Sequence, residues 1–142
     1  MQDRIREILP IEISLPAIGQ GAIGIECRIK DEFIYNLIKP LNHPETFICV
    51  KTERSFLKRL EGGCQVPIAA HARLNNEKII MDGLVASISG DRIIKGHVEG
   101  EPENAEILGI KLAEDILSLG AKEILAEVYN SSLPAVNRGK SS

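Results

Sequence analysis

The run Pro67–Glu99, PIAAHARLNNEKIIMDGLVASISGDRIIKGHVE, decides the fold. Three strand-like segments lie in it: Pro67 to Leu74, Lys78 to Ser89 and Arg92 to Glu99. Asn75-Asn76 and Ser89-Gly90-Asp91 separate them, residues that favour tight hairpin turns, so the three segments read as an antiparallel meander. Downstream, Glu103 to Leu119 places Ala105, Leu108, Leu112, Ile116 and Leu119 at helical spacing, with Gly120 as the stop. Ala121 to Tyr129 is a shorter helical or extended run. One apolar helix face needs one apolar sheet face, and the expected class is α+β: a three-stranded antiparallel sheet with helices on one face.

Upstream, Asn42-His43-Pro44-Glu45 is a helix-start signal, with Pro44 suited to the first helical position. The helix is expected to reach Leu60, with Ile48, Thr52, Phe56 and Leu60 on one side and Gly62 or Gly63 as its left-handed cap. Cys64 follows, in Arg59-Leu60-Glu61-Gly62-Gly63-Cys64-Gln65-Val66-Pro67, on a helix-to-strand connection. A thiol there can be a nucleophile, an attachment point or a small buried apolar residue. A helix carboxyl end raises a thiol pKa, so any activation of Cys64 has to come from elsewhere.

The first forty residues are less regular. Asp3 to Leu9 reads as a short helix ended by Pro10, and Ile11 to Gly21 as a loop-rich connector. Ala22 to Ile29 alternates toward its end and reads as a strand, and Asp31 can cap a helix from Glu32 to about Lys39, stopped by Pro40. That strand has no obvious neighbour, which is a liability for an apolar segment. The tail from Asn130 to Ser142 is polar, with Pro134 and Gly139, and is expected to be flexible.

Composition narrows the function classes. The chain has 142 residues, 44% hydrophobic and 26% charged, enough for an unstapled core, but only 4% aromatic and no Trp, so that core is aliphatic. A net charge of −3 gives no electrostatic reason to expect nucleic acid or an anionic membrane as partner. Apolar runs are short of a membrane span, and Met1-Gln2-Asp3-Arg4 does not open a signal peptide. Cys27, Cys49 and Cys64 form neither a disulfide framework nor a zinc signature, which points to a reducing, cytoplasmic setting and no metal.

Few residues offer chemistry. Cys27 and Cys49 read as packing residues, in a strand and a helix. Gly19-Gln20-Gly21-Ala22-Ile23-Gly24 has the glycines of a dinucleotide loop but precedes a strand instead of opening a helix, so a hinge or a close backbone approach fits better. His43, His71 and His97 lack ligand spacing and suit surface or capping roles. Lys51, Arg54, Lys58 and Arg59 give one helix a basic side, either a solvated face or a contact for an acidic ligand.

Three blocks carry a resemblance. Leu15-Pro16-Ala17-Ile18-Gly19-Gln20-Gly21-Ala22-Ile23-Gly24-Ile25-Glu26-Cys27-Arg28 resembles a signature of porphobilinogen deaminase, also called hydroxymethylbilane synthase. Glu53 to Ile68, ERSFLKRLEGGCQVPI, is similar to that family's cofactor-attachment block, and Glu123 to Asn130, EILAEVYN, to its carboxyl-terminal segment. Their order and spacing follow the family from about residue 1 to 130.

The resemblance implies that Cys64 carries a dipyrromethane cofactor through a thioether, formed when the sulfur adds to the electrophilic methylene left as porphobilinogen loses ammonia. It implies condensation of four porphobilinogens into hydroxymethylbilane, with Arg and Lys partners for acetate and propionate groups and a carboxylate to manage protons. Gln20 matches a position near the cofactor. By the same matching, residues 1–16 end a second domain, 17–40 return to a first domain, 43–130 form the third, cofactor-attaching domain, and 131–142 are a flexible tail. The catalytic aspartate and most substrate-binding arginines are then expected in an amino-terminal part not present here, so no catalytic residue is expected in this chain. The implied partners are porphobilinogen, the linear pyrrole chain and a missing amino-terminal half, with no nucleic acid and no membrane, in a family whose members are usually monomers. The rival expectation is a non-catalytic α+β interaction module, or a remnant.

Overall fold

A computed structural model describes residues 7–60 and 66–132, the side chains through Asn130. Its centre is the expected three-stranded antiparallel sheet, β1 (Ile68–Asn75), β2 (Lys78–Ala86) and β3 (Ile93–Gly100), in the order β1-β2-β3. Asn75 pairs with Lys78, so the first hairpin turns on Asn76-Glu77, one residue later than expected. Both turn residues have positive φ, 49° and 62°, the conformation whose twist matches a two-residue hairpin. The second connection is longer. β2 ends at Ala86, not Ser89, because the Ser87 hydroxyl turns into the loop, donating to Asp91 Oδ1 (2.6 Å) and accepting from the Arg92 N–H (3.1 Å). Those hydroxyls, Ser87 and then Ser89, hold the Asp91 carboxyl down to about 2.

Helix α1 (Glu32–Ile38) starts where expected, the Asp31 carboxylate accepting from the Ile34 N–H at 3.1 Å, and a 3-10 turn at Lys39–Leu41 ends it around Pro40. Helix α2 (Pro44–Arg59) has Pro44 in its first turn and His43 as cap, with Nδ1 accepting from the Thr46 N–H at 3.3 Å. After a 3-10 turn at Pro102–Asn104, α3 (Ala105–Ile116) is shorter than Glu103–Leu119, giving way to a wide turn at Leu117–Ala121 that contains Gly120. Helix α4 (Lys122–Ser132) settles the helical-or-extended choice for Ala121–Tyr129 and takes Asn130–Ser132 out of the expected flexible tail. The rest of the tail lies outside the described residues.

The core lies between the sheet and α2, α3 and α4. Ala70, Ala72, Ile79, Met81, Val85 and Val98 face Phe56, Leu60, Leu108, Leu112, Ile116 and Ile124, all buried. Gly83 and Gly96 let the helices settle onto the middle of the sheet, since a Cβ at either would meet the Leu112 side chain within 3.0 Å. The opposite sheet face carries a polar row. Arg73 donates to Asp82 (3.0 Å), His97 Nδ1 meets Asp82 (2.6 Å) and His97 Nε2 meets Glu99 (3.1 Å).

Two expectations for the first forty residues are corrected. Ala22–Ile29 is not a strand: no segment among the described residues pairs with it, and a strand exists only through its ladder. Ile23 is 92% exposed and Ile29 fully so. Glu7–Leu9 is not helical, and the earlier part of the expected Asp3–Leu9 helix lies outside the described residues. Phe33 and Leu37, one turn apart on α1, also face solvent.

Candidate functional site

Cys64, with Gly62 and Gly63, lies outside the described residues; the segments that hold its connection do not. Leu60, closing α2, and Val66, leading into β1, are both buried in the common core, so both flanks of the Cys64 connection are anchored in one body. Helix α2 therefore positions the connection, and what fixes α2 fixes the base of the candidate site.

One fixing group is Glu53, only 5% exposed. Its Oε1 accepts from the Ala72 N–H on the free edge of β1 at 2.8 Å, and His71 Nδ1 is 3.9 Å away. Its Oε2 accepts from the Gly19 N–H at 2.7 Å. One carboxylate thus joins α2, the edge of β1 and the glycine loop. Cys49, one helical turn earlier, meets the Leu74 backbone N–H two residues further along the strand. Four helix residues rise about 6 Å and two strand residues nearly 7 Å, so the side chains keep step with every second N–H of the edge. Burial pushes the Cys49 thiol up, with the Glu53 and Glu45 charges adding to it, and Leu74 opposes this in part. Cys49 is accordingly a packing residue, as expected; Cys27 is half-buried in the irregular Ala22–Ile29 segment, not in a strand.

The glycine loop is a turn. Gly19 and Gly21 take φ of 68° and 84°, a region that disfavours other residues. The turn is closed by Gln20 N–H to Ala17 C=O (3.0 Å) and Ala22 N–H to Gly19 C=O (3.1 Å). Gln20 is exposed, and its Oε1 accepts from the Ala17 N–H at 2.9 Å, within the loop itself. Ile18 packs against the core beside this polar clamp.

The basic side of α2 divides in two. Arg59 meets Glu114 through Nε (2.6 Å) and Nη2 (2.5 Å), and Lys51 lies 3.9 Å from Glu106, so these two cations bind α3. Arg54 and Lys58 are exposed and make no ion pair among the described residues. A cavity of about 550 Å³ lies elsewhere, lined by Glu45, Leu74, Asn76, Glu77, Glu101 and Glu103. Its carboxylates repel an anionic ligand. Among the described residues, no group of three or more His, Cys, Asp or Glu is placed to hold a metal ion, and no helix is long and apolar enough to cross a membrane.

His43 caps a helix, as expected, and His71 lies on β1 beside Glu53. His97 is in the surface row. Glu53 was not singled out by sequence reading, although a signal was present. It falls within Cys49, Phe56 and Leu60 at helical spacing, and a carboxylate inside an apolar stripe must find donors when buried.

Two family models match the chain. Residues 47–118 match "Porphobilinogen deaminase, C-terminal domain", the unit built from most of α2, the sheet and α3. Residues 1–36 match "Porphobilinogen deaminase, dipyromethane cofactor binding domain", the part containing the glycine loop. An α+β C-terminal domain preceded by part of a cofactor-binding domain is thereby defined. The chain belongs to the porphobilinogen deaminase family, transferases of tetrapyrrole biosynthesis whose cofactor is dipyrromethane. The donor set suits such a group: it bears carboxylates, and Arg54 and Lys58 are cations without an ion pair among the described residues, on the helix that runs into the Cys64 connection.

Proposed function

We propose that this chain is the primer-carrying portion of a hydroxymethylbilane synthase, with the Cys64 sulfur as the thioether anchor. The observation that carries the reading is the pair of family matches on one chain, the second of them, 47–118, enclosing Cys64. Bound there, dipyrromethane would supply the pyrrole terminus from which four porphobilinogens are joined head to tail with loss of ammonia. The chain's own residues have simpler tasks. Leu60 and Val66 hold the ends of the connection in the core. Arg54 and Lys58 offer charge to pyrrole carboxylates. Cys64 acts as an anchor that persists through turnover, not as a nucleophile regenerated in each cycle.

Turnover needs more than these 142 residues. The reading is supported by Ile23, Ile25, Ile29, Phe33 and Leu37, an apolar surface left exposed by the part of the chain that matches the cofactor-binding domain. That surface suits the remainder of such a domain, which would bring the carboxylate that manages protons at the pyrrole nitrogens and the arginines for substrate.

The test has two arms. Intact mass after incubation with porphobilinogen and the family's amino-terminal domains should show a dipyrromethane adduct, absent from Cys64→Ser. The purified chain should form no uroporphyrin from porphobilinogen until those domains are added. An adduct that survives Cys64→Ser, or turnover by the chain unaided, overturns the respective claim.

A further inference from the structure

The chain's two matched segments are joined at Glu53 by a contact neither segment could make by itself. Gly19 belongs to the part that matches the cofactor-binding domain, and Ala72 to the sheet of the carboxyl-terminal domain. We propose that Glu53 is a positioning residue, a latch that sets where the Ala17–Gly21 loop lies relative to α2 and β1, the two elements that flank Cys64 in the sequence. Its importance for the cofactor rests on the function proposed above; the latch itself does not.

Three observations carry it. The carboxylate is buried, and a buried carboxylate without donors is strongly disfavoured, so the Gly19 N–H is part of what allows Glu53 to sit there. Both oxygens are committed, at 2.7 and 2.8 Å, one to each segment. The loop has few other ties among the described residues: its remaining backbone hydrogen bonds are internal, and Ile18 is its apolar foot on the core. Releasing one hydrogen bond should therefore free the loop while the sheet stays formed.

Amide hydrogen exchange on the 142-residue chain tests this directly. In Glu53→Gln the amide can accept from only one N–H through its oxygen and turns an NH₂ donor toward the other. Exchange at Gly19 and Gln20 should rise roughly ten-fold or more, while Met81 and Val85 in β2 stay protected. Glu53→Asp, which keeps the charge but not the reach, should fall between. Gly19→Ala strains the turn without touching the core, because a Cβ there meets nothing within 4 Å, and should loosen the loop in the same way with Ala72 still protected. The inference fails if the Glu53→Gln chain is folded with Gly19 exchange unchanged. It also fails if Glu53→Gln raises exchange equally throughout and Gly19→Ala leaves residues 17–22 as protected as before. Cofactor loading is read separately by mass, so a chain that never loads leaves this result intact.

Discussion

Gly109 of α3 lies against the backbone carbonyl of Thr52 in α2, so close that a Cβ at residue 109 would stand 2.3 Å from that oxygen. The two helices cross backbone to backbone, and the Phe56 N and Ser55 Cβ atoms, each 2.9 Å from the same point, leave no direction of escape. Since α2 carries the Cys64 connection, the crossing also sets where that connection begins.

Gly109→Ala should therefore destabilise the chain despite its better helix propensity. Separation of α2 from α3 costs about 2–4 kcal/mol, well above the ~1 kcal/mol that Ala gains in a helix. Urea unfolding should show a lower midpoint. An unchanged or higher midpoint would refute the close crossing.

Leu112 is fully buried between the Gly83 and Gly96 positions. Leu112→Ala should cost about 3–5 kcal/mol through lost burial and a cavity that rigid strands cannot collapse to fill. The same urea titration would count against this if the loss were below ~1 kcal/mol.

Glu77 occupies φ 62° at the second position of the first hairpin turn. Glu77→Gly should stabilise the chain by about 0.5–1 kcal/mol, because relief of the strained backbone outweighs the added freedom of the unfolded chain. A fall in melting temperature would contradict the turn geometry.

The polar row on the open sheet face should give stability a pH dependence. Hydrogen bonds that the protonated His97 ring donates to Asp82 and Glu99 raise its pKa above the ordinary 6.5. Folding then favours the proton: the stabilisation is complete below about pH 6.5 and is lost as pH rises through the raised value. Burial pushes Asp82 up, but the His97 and Arg73 hydrogen bonds and charges outweigh it and hold the carboxyl below 3.8. Its contribution is present above 3.8 and is lost as pH falls through the lowered value. The row is thus strongest between those limits. These groups are substantially exposed, so solvent screening keeps the effect under about 1 kcal/mol. His97→Gln should narrow the stability difference between pH 5.5 and pH 8.5; an identical pH profile in both chains would dismiss the row as a contributor.

Local signals located most of the fold. Asp31, Pro44 and the Leu108–Leu112–Ile116 stripe each act within a few residues of themselves, and the elements they announce formed close to where expected. The errors came from longer-range causes. Ala22–Ile29 has a strand's alternation, but alternation does not supply a partner. Ser87 has an ordinary place in a strand pattern until Asp91 and Arg92 draw its hydroxyl into the loop. At the candidate site, Cys64 was visible through its motif, whereas Glu53 was not: its two acceptor bonds span 34 and 19 residues. No window along the chain contains both ends of such a contact.

The side chains of Cys49 and Glu53 have a consequence for the chain in company. By occupying the outward N–H groups of Leu74 and Ala72, they leave β1 without the donors that an incoming strand would need. The second half of that sheet edge is thereby covered. A neighbouring molecule cannot lengthen it there without first evicting a buried carboxylate, so this stretch of β1 is protected from the mispairing that open sheet edges invite.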